Sequence, residues 1–224
     1  MGSLSPLFTG ASACLFDLDG TLTDSKTGII NALQYALGSF GIKTEPEALH
    51  KFIGPPLRES FAKHYSFNQE EVDQALRVYR EYYGKQGIFE NALYPGIDHL
   101  LHSLCQRDKI LAVATSKPEF YARKILEHFK IDQYFTFVSG AELDERRGSK
   151  TQVIQYVFEN IKIPSLNQAV MIGDKEHDVI GARAVGIESI GVLYGYGSRE
   201  ELVAAGASYI VQDIQELLAL LQSG

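Results

Sequence analysis

Hydrophobic and polar positions follow two rhythms along this chain, and the change between them divides it. Cys14, Leu15 and Phe16 form a short apolar run that stops at once at Asp17, Asp19 and Gly20. A continuous apolar run ended by a turn residue predicts a buried strand of a parallel sheet. After Ser25 the spacing becomes helical: Ile29, Ile30, Leu33, Leu37 and Phe40 recur at three and four residues, and Gly41 stops them. Pro46–Phe52 follows, then Ile53-Gly-Pro-Pro-Leu-Arg-Glu-Ser-Phe61, whose glycine and prolines predict a loop before another helix. A third helix is predicted over 70–83, with Val72, Leu76, Tyr79 and Tyr83 along one side and Gly84 and Gly87 ending it. No strand pattern occurs between 25 and 90, so residues 23–91 read as a small all-helical domain inserted after the first strand.

From Tyr94 onward, strands and helices alternate. Strands are predicted at 110–114, 134–139, 169–173, 189–193 and 209–211, and helices at 96–104, 118–129, 151–161, 179–185 and 213–221. This alternation predicts a doubly wound, Rossmann-like parallel sheet with helices on both faces. Residues 11–22 and 92–224 would form that core.

Composition narrows the partners. A net charge of −7 with no long run of Lys or Arg makes nucleic-acid backbones poor partners. The same charge repels phosphate, so any anion site has to be local. Cys14 and Cys105 are the only cysteines, which is no disulfide framework and fits a reducing cytoplasm. Residues 1–10 read as a loose polar lead-in without a signal-peptide pattern, and no run of about 18 apolar residues predicts a membrane span. Nothing in the sequence speaks to oligomeric state.

The candidate chemistry gathers at predicted strand ends, where open α/β sheets place their sites. Asp17 and Asp19 would project together, and two close carboxylates are costly without a cation or a shared proton. Magnesium fits, because it takes carboxylate, carbonyl and phosphate oxygens. A capped strand end with two solvated acids is the plainer alternative, and a calcium loop would need later acids that are missing here. Thr115-Ser116-Lys117-Pro118 offers hydroxyls and backbone amides before a helix, as an anion site or, with Ser116, as a simple N-cap. Lys150 starts a helix, where the dipole disfavours a structural cation and favours one that meets phosphate oxygens. Arg146 and Arg147 are its rivals for that role. The 169–173 strand ends in Asp174-Lys-Glu-His-Asp178. His177, between acids on a turn, reads as a solvated side chain. Tyr194-Gly-Tyr-Gly197 faces the same edge and reads as a turn.

The Asp-x-Asp-Gly-Thr stretch at Asp17–Thr21, with Thr115, Lys150 and the Gly-Asp-x-x-x-Asp pattern ending at Asp178, resembles the four motifs of the haloacid dehalogenase superfamily of phosphatases. The resemblance covers residues 13–222. It implies that Asp17 is a nucleophile toward phosphorus and Asp19 the general acid and base. It also implies a magnesium ion held by the Asp17 carboxylate, the Asp19 main-chain carbonyl and Asp174, with Asp178 behind them. Thr115, Ser116 and Gly20 would bind phosphate, with Lys117 near the substrate. The helical insert resembles the cap of the phosphoglycolate phosphatase-like subfamily. It would act as a lid hinged near 22–25 and 90–95, with Arg58 reaching the substrate. Thr151 stands where many phosphoglycolate phosphatases have proline.

The implied substrate is a small phosphorylated metabolite. Phosphoglycolate leads, ahead of nucleoside 5′-monophosphates, pyrophosphate and phosphotyrosine. A phosphomutase of the β-phosphoglucomutase type shares the same core. A dehalogenase would not use Asp19, and a phosphonate hydrolase typically has Ala there. A receiver-like phosphoaspartate module is about half this length and lacks the insert.

Overall fold

The structure, a computed structural model, describes residues 11–54, 57–143 and 147–222. The 1–10 lead-in, Pro55-Pro56 and Arg146 lie outside them. The chain forms two compact units, one from residues up to Thr23 and from Leu93 onward, the other Asp24–Ala92.

The first unit is built on six parallel strands. β1 (Ala13–Phe16) lies at the centre, flanked by β4 (Ile110–Pro118) and β6 (Ala169–Gly173); β5 (Phe137–Ala141), β7 (Glu188–Val192) and β8 (Tyr209–Val211) complete the order β5-β4-β1-β6-β7-β8. Register is continuous across the centre: Ala13 stands beside both Ile110 and Ala169, and Phe16 beside Val113 and Ile172. All four residues of β1 are buried, as a strand covered on both faces requires. On one face, Ala13 and Leu15 pack with Val153, Ile154 and Val157 of α6 (Lys150–Asn160) and with Ala182 of α7 (Glu176–Val185). On the buried strand itself, Cys14 is wholly enclosed, and burial pushes its thiol up to about 12. The chain winds outward from β1 to β4 and β5, then returns to β6. The strand order therefore reverses beside β1, and such switch points open a crevice at the strands' carboxyl ends.

The remaining helices of this unit are α4 (Ile97–Cys105), α5 (Glu119–His128), α8 (Arg199–Ala205) and α9 (Ile214–Gln222). Several elements differ from those the sequence predicts, α7 among them, which starts at Glu176 and not at 179. β4 runs on through Pro118, because Pro118 pairs with Ala141 after a register shift at Ala114. Pro118 precedes α5, so Ser116 is not its N-cap. β5 begins only at Phe137, since Asp132–Tyr134 winds into a short 3-10 turn. α8 has no counterpart in the predicted elements, although Ser198 caps it by accepting from the Glu201 N–H and Gly206 closes it in the left-handed region.

The second unit holds α1 (Lys26–Gly38), a 3-10 turn over Pro46–Phe52, α2 (Leu57–Tyr65) and α3 (Gln69–Tyr82). Asn68 and Glu71 form a reciprocal capping box at the start of α3. The helix does not stop at Gly84. It widens into a π-helical turn over Tyr83–Gly87, where Ile88 N–H bonds to the Tyr83 carbonyl. The two short strands β2 (Thr23–Asp24) and β3 (Ala92–Leu93) pair where the chain passes between the units. Among the described residues no helix is long and apolar enough to cross a membrane.

Candidate active site

Asp17 is the first residue past β1, and its N–H extends the ladder to the Ile172 carbonyl at 2.9 Å. The chain then turns tightly: Leu22 and Thr23 both donate to the Leu18 carbonyl, and Gly20 donates to that of Thr23. Gly20 holds φ +86°, and a Cβ on it would lie 2.3 Å from Asp174 Oδ2. Its N–H is already spent within the turn, so its contribution to the site is steric: it admits Asp174. Gly20→Ala is expected to cost more than the ~1–2 kcal/mol of a left-handed alanine, because the methyl also drives Asp174 aside. A thermal midpoint lowered by at least about 2–4 °C checks this.

Asp174 and Asp178 follow β6 and are fully enclosed. Asp174 accepts from Thr21 Oγ1 at 3.4 Å and from the Tyr196 N–H at 2.7 Å. Asp178 Oδ2 accepts from the Lys175 N–H at 3.0 Å. Lys150 is the first residue of α6. Its Nζ donates to the Ala114 carbonyl at 2.9 Å and lies 2.7 Å from Asp17 Oδ1 and 2.8 Å from Asp178 Oδ1. A lysine has three N–H donors, and this one has three oxygen neighbours, from within β4, from the exit of β1 and from the first turn of α7.

The electrostatics are those of an acid-rich cavity. Burial alone would lower the pKa of Lys150, but Asp17 and Asp178 outweigh it and hold the ammonium more firmly charged than usual. Burial, then the charges of Asp178 and Asp17, push Asp174 well above the ordinary carboxylate range. Burial raises Asp178 to about 6 despite the opposing pull of Lys150.

The group fits a hard divalent cation. Carboxylate oxygens of Asp17, Asp174 and Asp178 lie within 4.8 Å of one another. Asp17 and Asp178 face the Lys150 ammonium, and their charges push on Asp174 beside them, so a divalent ion would relieve the excess of negative charge. Asp17 Oδ1 and Asp178 Oδ1 touch Lys150 but accept no well-directed hydrogen bond, so they keep lone pairs for a metal. All-oxygen donors of this kind suit magnesium.

Thr115 sits buried at the end of the straight part of β4, its Oγ1 accepting from the Lys117 N–H at 3.2 Å. Ser116 beside it is exposed. Lys117 reaches back across the crevice: its Nζ lies 2.5 Å from Asp19 Oδ2. The structure therefore brings Asp17, Asp174, Asp178 and Lys150 together, and pairs Asp19 with Lys117. Arg58 lies in the helical unit, where it pairs with Asp73 at 2.7 Å. His177 is exposed.

Sequence reasoning missed the grip of the 194–197 turn. Besides the Tyr196 N–H on Asp174, Tyr194 donates its hydroxyl to the Thr21 carbonyl at 3.1 Å, tying this turn to the one after β1. The available signal was a glycine-flanked tyrosine immediately beyond a strand's carboxyl end.

A Rossmann-like sheet with acids, a threonine and a lysine at three neighbouring strand ends defines a phosphoryl-handling hydrolase. The chain belongs to the haloacid dehalogenase-like hydrolases, whose family model matches residues 14–192. It is 41% identical over 211 residues to a 5′-nucleotidase of Pseudomonas aeruginosa, covering 93% of this chain and 95% of that protein. It is also 41% identical over 184 residues to the tyrosine-protein kinase PtkA of Mycobacterium tuberculosis, covering 82% of this chain but 62% of that one. Among solved structures, a haloacid dehalogenase-like family hydrolase from Streptococcus pneumoniae is 32% identical with a TM-score of 0.88, covering 96% of this chain and all of that one. The chain is a phosphatase of this family.

Proposed function

We propose that the chain is a magnesium-dependent phosphomonoesterase that works through an aspartyl phosphate on Asp17, and that nucleoside 5′-monophosphates are its substrates. The observation that carries the mechanism is Asp17 at the mouth of β1, in contact with Lys150 and within reach of two further buried carboxylates. The substrate reading draws on the 5′-nucleotidase, which matches over nearly the full length of both chains. It moves nucleotides ahead of phosphoglycolate.

An Asp17 carboxylate oxygen forms a bond to phosphorus as the ester P–O bond breaks, and Asp19 gives its proton to the departing alkoxide. Asp19 then takes a proton from water, whose oxygen attacks the same phosphorus, releasing phosphate and restoring Asp17. Lys150 fixes the Asp17 carboxylate in line, and Thr115 would donate its hydroxyl to a non-bridging phosphate oxygen. General acid–base help contributes about 10²–10⁴-fold, far short of the up to ~10²¹-fold that the slowest monoester hydrolyses need. Positioning and charge neutralisation therefore carry most of the acceleration. Magnesium, held by Asp17, Asp174 and the Asp19 carbonyl with Asp178 behind, would supply positive charge to the phosphoryl oxygens.

A phosphate-release panel with magnesium, comparing AMP, CMP, 2-phosphoglycolate, pyrophosphate and phosphotyrosine, tests the reading. The 5′-monophosphates should turn over with the highest kcat/KM, and chelation should abolish release. A preference for 2-phosphoglycolate would overturn the substrate assignment, and turnover undiminished in chelator would overturn the metal.

Magnesium should also stabilise the fold, by about 2.7 kcal/mol at 100 times Kd. Asp174 and Asp178 hold protons more readily than ordinary carboxylates, and the ion competes with those protons. The magnesium-induced rise in thermal midpoint should therefore be larger at pH 8 than at pH 5. An equal rise at both would contradict it.

A further inference from the structure

Arg147 stands three residues before Lys150, and the sequence makes it a rival for the phosphate. Its guanidinium is engaged elsewhere. Nε donates to the Gly140 carbonyl at 2.9 Å, Nη2 lies 3.4 Å from Glu119 Oε2, and Nη1 lies 3.7 Å from Glu142 Oε1. The flat face of the group covers the Tyr156 ring, with Cζ 3.8 Å from its centre. With every nitrogen and one face occupied, little of the side chain remains to receive a phosphate.

The partners matter more than the contacts themselves. Glu119 opens α5, two residues beyond Lys117, and Tyr156 lies on α6, the helix that Lys150 begins. Gly140 lies where β5 touches the end of β4 and the start of α5: a Cβ on it would be 2.6 Å from the Lys117 carbonyl and 2.7 Å from Glu119 Cα. One side chain thus ties the segment presenting Lys150 to the segment presenting Thr115 and Lys117. Glu119 is prepared for this, since Arg123 Nε holds its Oε1 at 2.9 Å and leaves Oε2 for Arg147.

The backbone supports the same reading. Arg147 holds φ +53°, a left-handed conformation disfavoured for a residue with a Cβ. Such strain persists where the surroundings over-determine it. A glycine would adopt that φ freely, so an arginine here is explained by what its side chain does. A lysine could keep the charge but not the planar fork or the stacking.

Resting on the phosphatase reading above, we infer that Arg147 is a positioning residue for the reaction. It clasps the Lys150 segment to the Thr115–Lys117 segment and sets the spacing of the groups that surround the phosphoryl. Displacements of about 1 Å around a reacting centre can cost 10²-fold in rate, so the clasp should be read in kcat rather than in substrate affinity.

The test compares wild type, Arg147→Gly, Arg147→Lys, Arg147→Met, Glu119→Gln and the Arg147→Met/Glu119→Gln double variant, with magnesium and AMP. Arg147→Gly and Arg147→Met should lose about 10- to 100-fold in kcat with KM within about twofold of wild type. Arg147→Lys should fall between, and the double variant should be no slower than Arg147→Met. Wild-type kcat in Arg147→Gly would overturn the clasp, because the left-handed backbone alone would then suffice. Multiplying losses in the double variant would overturn it too. Amide hydrogen exchange gives an answer independent of turnover. In Arg147→Gly, or in Arg147→Lys if the glycine variant does not fold, exchange should quicken in 147–152 and in 117–121 together. Quickening confined to 147–152 would overturn the proposal. A wild type that releases no phosphate from AMP, with variants that still show the paired change in exchange, would retain the clasp and remove the nucleotide reading.

Discussion

Replacing Asp17 by Asn is expected to lower phosphate release by on the order of 10⁴-fold or more, the scale seen when a covalent nucleophile is removed. The amide is nearly isosteric but is no nucleophile toward phosphorus. Its effect on stability should be small, for a reason visible in the site. Asp17 shares its cavity with Asp174 and Asp178, and it shares the Lys150 ammonium with Asp178. Neutralising one acid loses part of the Lys150 pairing and at the same time relieves repulsion on its neighbours. The two changes oppose each other. Steady-state rates with magnesium, alongside a thermal melt, check both halves. A variant that keeps a tenth of wild-type kcat would remove Asp17 as the nucleophile, whereas lost activity with a collapsed melt would reduce it to a structural residue.

Lys150→Met should behave in the opposite way, losing stability as well as rate. Methionine preserves most of the volume of the buried stem but leaves Asp17 and Asp178 without their cation. Breaking one side of a buried ion pair typically costs about 3–5 kcal/mol. For a chain of this size that is about 6–20 °C in thermal midpoint, measured in chelator. The loss should shrink when magnesium is added, since the ion offsets the same negative charge. It should also depend on pH with a definite sign. Asp178 has its folded pKa raised from 3.8 to about 6, so its ionisation weighs against the folded state as pH rises through that window. Without Lys150 that weight is greater. The gap between variant and wild type should therefore widen from pH 5 to pH 8. A midpoint unchanged in chelator at pH 8 would show that Lys150 does not hold the acids together.

Much of this site was legible before any coordinates. The apolar run of Cys14–Phe16 ending at Asp17, and the run Ala169–Gly173 ending at Asp174, each report a buried strand and the residue at its exit. Parallel β-α alternation then obliges those exits to face one edge. The positions of Asp17 and Asp174 follow from that rule together with their own chemistry, while the resemblance to the family's motifs is what adds Thr115, Lys150 and Asp178. What stayed hidden depends on contacts that residue type does not encode. The grip of Lys117 on Asp19 joins residues 98 apart through a side chain whose direction the sequence does not give. The hold on Asp174 by the 196 N–H is made by backbone, which every residue but proline carries.

Boundaries were lost to local effects. β4 outlasts its apolar run because a register shift lets Pro118 pair with Ala141. The seven residues of α8 are too few for a clear helical periodicity, and its signal lay in the Ser198 cap and the closing Gly206. The π-helical turn at Tyr83–Gly87 shows that a glycine inside a helical pattern need not end it. Arg147 illustrates the limit most directly. From sequence it competes with Lys150 for phosphate, and only the positions of Gly140, Glu119 and Tyr156 reveal where its guanidinium goes.

The most direct test of the covalent mechanism is to trap the intermediate. Enzyme turning over AMP with magnesium is quenched into sodium borohydride, which reduces an acyl phosphate to an alcohol, and the peptide spanning residues 13–25 is sequenced by mass spectrometry. Homoserine at position 17, absent when AMP or magnesium is omitted, is the predicted result. An unmodified Asp17 in enzyme that is releasing phosphate, or homoserine at Asp19, Asp174 or Asp178 instead, would contradict it.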